Sequence, residues 1–229
     1  MFRAAAMPSF KEKDKDLLEW YQLQLSKSST KVHMNTEITD LSSLAADEIV
    51  IATGSAGPRS LKIPGAEQAS SAVDVLLGNK KVGDNVVIIG GGLTGCELAY
   101  ELCLQGKHPV IVEMMQDLVA VKGVCMANSN FLRDAMRYYE VPVYLESKTL
   151  AIENGAVKVE TKEGRTISVP ADDVVVSIGY NAGNPFFTEE QKKKKQYPKN
   201  VHVIGDADNV ANLMKAIYDA NNLVLKLSK

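Results

Sequence analysis

The run Asn85-Val86-Val87-Ile88-Ile89-Gly90-Gly91-Gly92 constrains this chain more than any other stretch of it. Four β-branched residues in a row, with no polar interruption, describe a strand buried on both faces, as in the middle of a parallel sheet. The glycines turn the chain. Residues 93–105 then place Leu93, Cys96, Leu98, Ala99, Leu102 and Cys103 at helical intervals, and Gly106 stands where a helix C-cap belongs. Val110-Ile111-Val112-Glu113 is the next strand. A strand, a helix and a second strand in this space make a βαβ unit, which fixes the fold class as α/β.

The glycine spacing within that unit, Gly90-x-Gly92-x-x-Gly95 with Gly91, Leu93 and Thr94 between, is the dinucleotide-binding fingerprint. Gly90 permits the tight turn, Gly92 lets the backbone approach a pyrophosphate, and Gly95 lets the helix pack closely on the sheet. The helix N-terminus offers unpaired N–H groups and a positive dipole end to phosphate. Glu113, ending the second strand, is placed to accept hydrogen bonds from an adenosine ribose diol. It would repel a 2′-phosphate, and Met114, Met115 and Gln116 after it include no arginine. NADH is therefore favoured over NADPH, with Lys122 the one nearby cation that could compensate. The competing readings are a structural glycine turn in an unrelated α/β protein, and an S-adenosylmethionine site.

Elsewhere the pattern is of short elements. Residues 10–26 read as an amphipathic helix through Leu17, Leu18, Trp20, Tyr21, Leu23 and Leu25, residues 31–39 as a strand, and residues 47–54 as a short strand running into Gly54. A short helix falls near residues 72–77 and a second at 128–139. Strands follow near 141–146, 150–153, 156–161 and 166–169, with Asn154-Gly155 and Glu163-Gly164 as hairpin turns. Residues 173–179 make another buried strand ending in Gly179, residues 201–206 a final strand, and residues 213–227 a final helix.

Bulk properties remove other classes of function. A net charge of −2 from 26 basic and 28 acidic residues gives no field for nucleic acid or an anionic membrane. No apolar run approaches a membrane span, and the N-terminus has no secretory core. The three cysteines, Cys96, Cys103 and Cys125, lack cluster or zinc spacing and suit reduced thiols in a cytoplasm.

Three segments together resemble the pyridine nucleotide–disulfide reductase-like flavoproteins: residues 49–54 (Ile-Val-Ile-Ala-Thr-Gly), residues 87–99, and residues 203–207 (Val-Ile-Gly-Asp-Ala). Within that group the chain is similar to the C-terminal flavin/NADH portion of the 2-enoate and 2,4-dienoyl-CoA reductases. The supports are residues 212–220 after Gly205-Asp206 and the Ala-Ala-Met-Pro-Ser-Phe-Lys start. The resemblance implies a three-layer Rossmann-like NAD(P)-binding domain at 66–179, inserted into a partial FAD-binding domain made of 1–65 and 180–229. It implies hydride transfer from NADH to FAD, then onward to an enoate- or dienoyl-type centre. It places Thr53 and Gly54 in a turn near the flavin, Gly205 and Asp206 at the FAD ribityl or pyrophosphate region, and Glu97 near the nicotinamide–flavin contact. The family's own glycine-rich βαβ unit for FAD has no counterpart before Ala52, so the chain reads as truncated, with FAD bound weakly or only in a full-length parent. Apolar surface left by such a lobe favours a homo-oligomer.

Several features carry plainer readings. Tyr144-x-x-x-Lys148 looks like a short-chain dehydrogenase pair but sits in an alternating, strand-like stretch. The Lys192–Lys195 run, beside Glu189 and Glu190, reads as a solvated loop or helix end. His202 reads as a strand position facing partly outward, Glu97 by default as a solvated helix glutamate, and Phe186-Phe187 as a cover for an exposed apolar edge. No side chain suggests a general acid or base, which suits hydride transfer between cofactors. An NAD(H)-binding regulatory or interaction module without redox turnover is the alternative. Gly205-Asp206 argues against it, because a pure sensor has no use for a flavin-side feature.

Overall fold

The computed structural model describes residues 1–120 and 123–228; Lys122 lies outside the described residues. In chain order the elements are α1 (Phe2–Ala5), α2 (Glu12–Lys27), β1 (Ile49–Ile51), β2 (Ser55–Pro58), β3 (Ser70–Ser71), α3 (Ala72–Leu76), β4 (Asn85–Ile89), α4 (Leu93–Leu104), β5 (His108–Val112) and α5 (Met126–Tyr138). Then follow β6 (Val143–Tyr144), β7 (Lys148–Glu153), β8 (Ala156–Glu160), β9 (Thr166–Pro170), β10 (Asp173–Val176), β11 (Tyr180–Ala182), α6 (Glu189–Lys194), β12 (Val201–Val203) and α7 (Leu213–Leu227). The chain forms two compact units. A central unit holds residues 2–18 and 58–179, and an outer unit holds Met1, residues 19–57 and residues 180–229. Residues 2–18, which the sequence reading assigned to the flavin lobe, thus belong with the central unit.

The central unit is a three-layer structure built on the parallel sheet β3-β10-β4-β5-β6. The apolar run of β4 does what a doubly buried strand must. Val86 and Ile88 point into one cluster with Cys96, Leu98 and Leu102 of α4 and Leu132 and Met136 of α5. Val87 and Ile89 point into the other, with Ile152, Val157, Val159 and Val169 of the antiparallel sheet β7-β8-β9. Fully burying each such side chain contributes about 1.5–3 kcal/mol, so β4 is the spine on which the glycine turn is mounted. The hairpins fall where expected, with Gly155 at φ +77° and Gly164 at φ +73°. Tyr144 lies on β6, paired with Val112, and Lys148 opens β7. The two therefore share no helix.

The outer unit has a parallel pair, β1 with β12 (Ile49↔Val201, Ile51↔Val203), and a second pair, β2 with β11. Its core is Ile51, Val201 and Ala207, with Leu41, Phe186, Phe187 and Tyr197 packed on it. Phe186 and Phe187 are half-buried and pack against this core, and the Phe187 ring lies 4.6 Å from that of Tyr197. The lysine run becomes α6, capped by Thr188 and Gln191, with Lys192 and Lys194 paired to Glu189 and Glu190. α7 keeps the bounds its periodicity predicts, and Asn212 caps it by accepting the Lys215 N–H at 2.9 Å. Met214, Ile217, Tyr218, Val224 and Leu225 of α7 are exposed.

One expectation fails for a physical reason. Residues 31–39 form no strand: they are exposed throughout, and Asn35 at φ +54° breaks the extended backbone that alternation needs. His202 on β12 is partly exposed, as expected, and is turned toward Glu48. Its side chain is 13% exposed and its Nε2 lies 2.7 Å from Glu48 Oε2. The thiols separate cleanly. Burial pushes Cys96 up to about 12 and Cys103 up to about 11, while Cys125 is exposed. A native-state titration with a disulfide reagent at neutral pH should therefore modify one thiol quickly, and Cys125→Ser should remove that phase. A fast phase surviving in Cys125→Ser would contradict this burial.

Candidate functional site

The fingerprint glycines occupy positions that backbone geometry reserves for them. Gly90 has φ +110°, and a Cβ there would lie 2.3 Å from the Ser177 carbonyl oxygen on β10's extension. A Cβ on Gly95 would lie 2.0 Å from the Gly90 carbonyl oxygen, so the first turn of α4 rests directly on the loop. Gly92 is the opposite case: a Cβ there would meet nothing within 4 Å. The loop is closed beneath Gly90 and Gly95 and open above Gly92, as a cradle for a bulky anion requires.

The first helical hydrogen bond of α4 runs from the Cys96 N–H to the Gly92 carbonyl at 3.0 Å. Leu93, Thr94 and Gly95 before it have no intrahelical acceptor, and no side chain caps this end. Leu93 also packs on the helix-side core. Glu113 follows β5 and is half-buried. Its Oε2 accepts the Gly91 N–H at 2.5 Å and its Oε1 the Met115 N–H at 2.7 Å. Gly179, at φ +92°, accepts the Arg59 N–H at 2.9 Å beyond the end of β10.

Glu97 is not a solvated helix glutamate. It is 9% exposed on α4 and pairs with Lys11 Nζ at 2.6 Å. Desolvation pushes its carboxyl above the ordinary value, and Lys11 opposes that shift. Lys11 arrives on a segment anchored to the same helix: Ser9 donates its N–H and hydroxyl to Glu101, each at 2.8 Å, and the Phe10 and Tyr100 rings lie 4.8 Å apart. A hollow of about 190 Å³ opens beside the pair, lined by Phe10, Lys11, Glu97, Asn128, Phe131 and Leu132. Sequence reasoning missed Lys11, since nothing local to it signals a partner on α4.

In the outer unit Thr53, Gly54, Gly205 and Asp206 come together around a residue the sequence reading did not single out, Gly183. The Thr53 hydroxyl donates to the Gly183 carbonyl, and the Gly183 N–H donates to the Gly54 carbonyl at 3.0 Å and the Asp206 carbonyl at 3.3 Å. A Cβ on Gly183 would lie 2.3 Å from the Gly54 oxygen, so only glycine closes this junction. Asp206 Oδ1 accepts the Ala211 N–H at 3.0 Å. Asp219, held below the usual carboxylate range by Lys215, accepts the Gly205 N–H at 3.1 Å. Among the described residues no group of three or more His, Cys, Asp or Glu side chains could hold a metal ion, and no helix is long and apolar enough to cross a membrane.

The chain is similar to known proteins along most of its length. The pyridine nucleotide-disulphide oxidoreductase profile matches residues 6–218. Cinnamate reductase of Clostridium sporogenes is 38% identical over 221 residues, covering 93% of this chain and 32% of that protein. NADH oxidase of Thermoanaerobacter brockii is 31% identical, covering 93% and 33%. A 2-naphthoyl-CoA reductase structure superposes with a TM-score of 0.80 at 27% identity, over 95% of this chain and 33% of that one. The chain thus spans about a third of the length of these relatives. Thioredoxin reductase of T. acidophilum, at 19% identity and a TM-score of 0.62, shares the fold. With the profile running through both units and the glycine cradle in place, the chain belongs to the pyridine nucleotide-disulphide oxidoreductase family, whose members bind FAD and NAD(P)H.

Proposed function

We propose that the central unit binds NADH and that the chain is the NADH-binding segment of a flavin-dependent oxidoreductase. The observation that carries this is the loop open above Gly92 and closed beneath Gly90 and Gly95, at the uncapped N-terminus of α4. The residues present fit NADH. Amides at 92–95 face a pyrophosphate, Glu113 has acceptor capacity left for the ribose hydroxyls, and Glu97 with Lys11 borders a hollow for the nicotinamide end. Bound there, NADH supplies a hydride. The chain's part is to orient the ring and hold the Glu97–Lys11 charges away from water.

For FAD the fit is partial. The Thr53–Gly54, Gly183 and Gly205–Asp206 junction supports a flavin-side contact, but the described residues of the outer unit hold no glycine-rich strand–turn–helix to take its phosphates. FAD binding by this chain is therefore weak in our reading, and the enoate- or dienoyl-type acceptor is proposed from the reductase relatives rather than from any group here. The exposed apolar residues of α7 support self-association, and three free thiols suit a reducing cytoplasm.

Titration of the chain with NADH, NADPH, FAD and S-adenosylmethionine, followed by thermal unfolding, tests the reading. A ligand at a hundredfold its Kd stabilises the folded state by about 2.7 kcal/mol, a rise of roughly 5–10 °C for a chain of this size. NADH should give that rise, NADPH less and FAD little. A strong response to FAD alone would overturn the assignment of the outer unit. No response to any of the four would leave the glycines a structural turn.

A further inference from the structure

The segment from Glu113 to Val119 grips Gly91, the middle residue of the glycine triplet, from both sides. Glu113 Oε2 takes the Gly91 N–H at 2.5 Å, and the Val119 N–H donates to the Gly91 carbonyl at 2.8 Å. Leu118 lies against the same residue: a Cβ on Gly91 would come within 2.5 Å of Leu118 Cδ2. The remaining Glu113 oxygen takes the Met115 N–H at 2.7 Å, curling the segment back on itself. Its outer end is fixed by Asp117, whose Oδ2 lies 2.9 Å from Arg133 Nε on α5. Val119 adopts φ +51°, a left-handed conformation that strains a β-branched residue and persists where surrounding contacts over-determine it. The contacts that hold Val119 there include its bond to Gly91 and the burial of its side chain.

We infer that residues 113–119 are a brace that holds the glycine loop in its nucleotide-receiving shape before any nucleotide arrives, and that Glu113 serves both as brace and as ribose reader. A carboxylate has about four acceptor positions. Two are taken by Gly91 and Met115, and two remain for the two hydroxyls of a ribose diol. The brace stands on the geometry alone, while the ribose role rests on the NADH reading above. The two roles use one charge, so cofactor choice and loop shape cannot be altered separately at this position. Exchanging Glu113 for a neutral residue does not convert the site to NADPH; it loosens the loop that both cofactors need.

The test is Glu113→Gln, whose amide nitrogen would face one of the two N–H groups and forfeit that bond. In the nucleotide-free chain, amide hydrogen exchange at whichever of Gly91 and Met115 loses its acceptor should accelerate about tenfold or more, while that of Val86–Ile89 stays unchanged. NADH affinity should fall about tenfold or more, and NADPH affinity should fall less, because the charge that repels its 2′-phosphate is lost with the bond. Unchanged exchange at Gly91 and Met115 would overturn the brace, and a gain of NADPH affinity would overturn the dual role. If the unsubstituted chain binds neither nucleotide, the NADH reading fails and the dual role with it, while the exchange measurement still decides the brace.

Discussion

Gly92→Ala should abolish the NADH response while leaving the fold intact, and Gly95→Ala should lose both. The two glycines sit three residues apart in one motif, but they face opposite ways. A methyl group on Gly92 meets nothing within 4 Å, and its φ of −71° is ordinary for any residue, so stability should change by no more than about 0.5 kcal/mol. That methyl would stand where the pyrophosphate must approach, and affinity should fall on the order of a hundredfold, roughly 2.7 kcal/mol. A methyl on Gly95 would lie 2.0 Å from the Gly90 oxygen, a backbone atom that can yield only by moving the whole loop. Overpacking of this kind costs about 1–3 kcal/mol or more, and the displaced loop no longer presents its amides. Urea unfolding beside NADH titration of the two variants separates the effects. A Gly92→Ala chain that still bound NADH normally would sink the assignment of the open face to phosphate.

Lys11→Met should destabilise the chain by about 3–5 kcal/mol, because it strands a buried carboxylate. Glu97 and Lys11 are 12% and 17% exposed at 2.6 Å. Burial already raises the Glu97 carboxyl above its ordinary value against the pull of Lys11, so removing the lysine raises it further. The sign of the pH dependence follows from that direction. A carboxyl whose folded value lies above its unfolded one binds its proton more tightly when folded. Stability is therefore retained below the unfolded value of 4.5 and lost as pH rises from there through the folded value. The deficit of Lys11→Met relative to wild type should be small near about pH 4 and full by about pH 8. Replacing both partners, Lys11→Met with Glu97→Leu, should restore most of the stability, since a buried pair is often no more stabilising than apolar residues of similar volume. A deficit independent of pH, or unrelieved in the double variant, would mean that the pair contributes packing rather than charge.

What the sequence disclosed and what it withheld divide along one line. Features set by neighbours in the chain were legible: the β-branched run of β4, the turn at Gly90–Gly92, the 3.6-residue period of α7, and the two glycine hairpins. Features set by distant partners were not. Glu97 looked like any helix glutamate until Lys11 arrived from the far side of the chain to bury it. His202 owes its orientation to Glu48, and Phe186 and Phe187 owe theirs to Ile51 and Tyr197. Gly183 carries no motif at all; its need for glycine comes from the Gly54 carbonyl 2.3 Å from where a Cβ would be. Residues 31–39 erred the other way. Their alternation met the local requirement of a strand, but among the described residues no strand pairs with them, and Asn35 turns the backbone aside.

The threading of the chain has a consequence for how it is made. β1 pairs with β12 across about 150 residues, a closure whose entropy cost must be met before the contacts it brings can repay it. Almost all of that intervening length is the central unit, whose own parallel pairings span shorter stretches, from about 23 residues for β4 with β5 to about 105 for β3 with β10. Once the central unit has formed, its two exits are paired as β2 and β11, and the remaining loop is short. On a ribosome, where units form as they emerge, the central unit is complete when Gly179 appears, while β1 must wait unpaired until Val203 is out. A nascent chain halted between those two points would already hold its glycine cradle and would still expose Ile51 to whatever else in the cell binds unpaired strands.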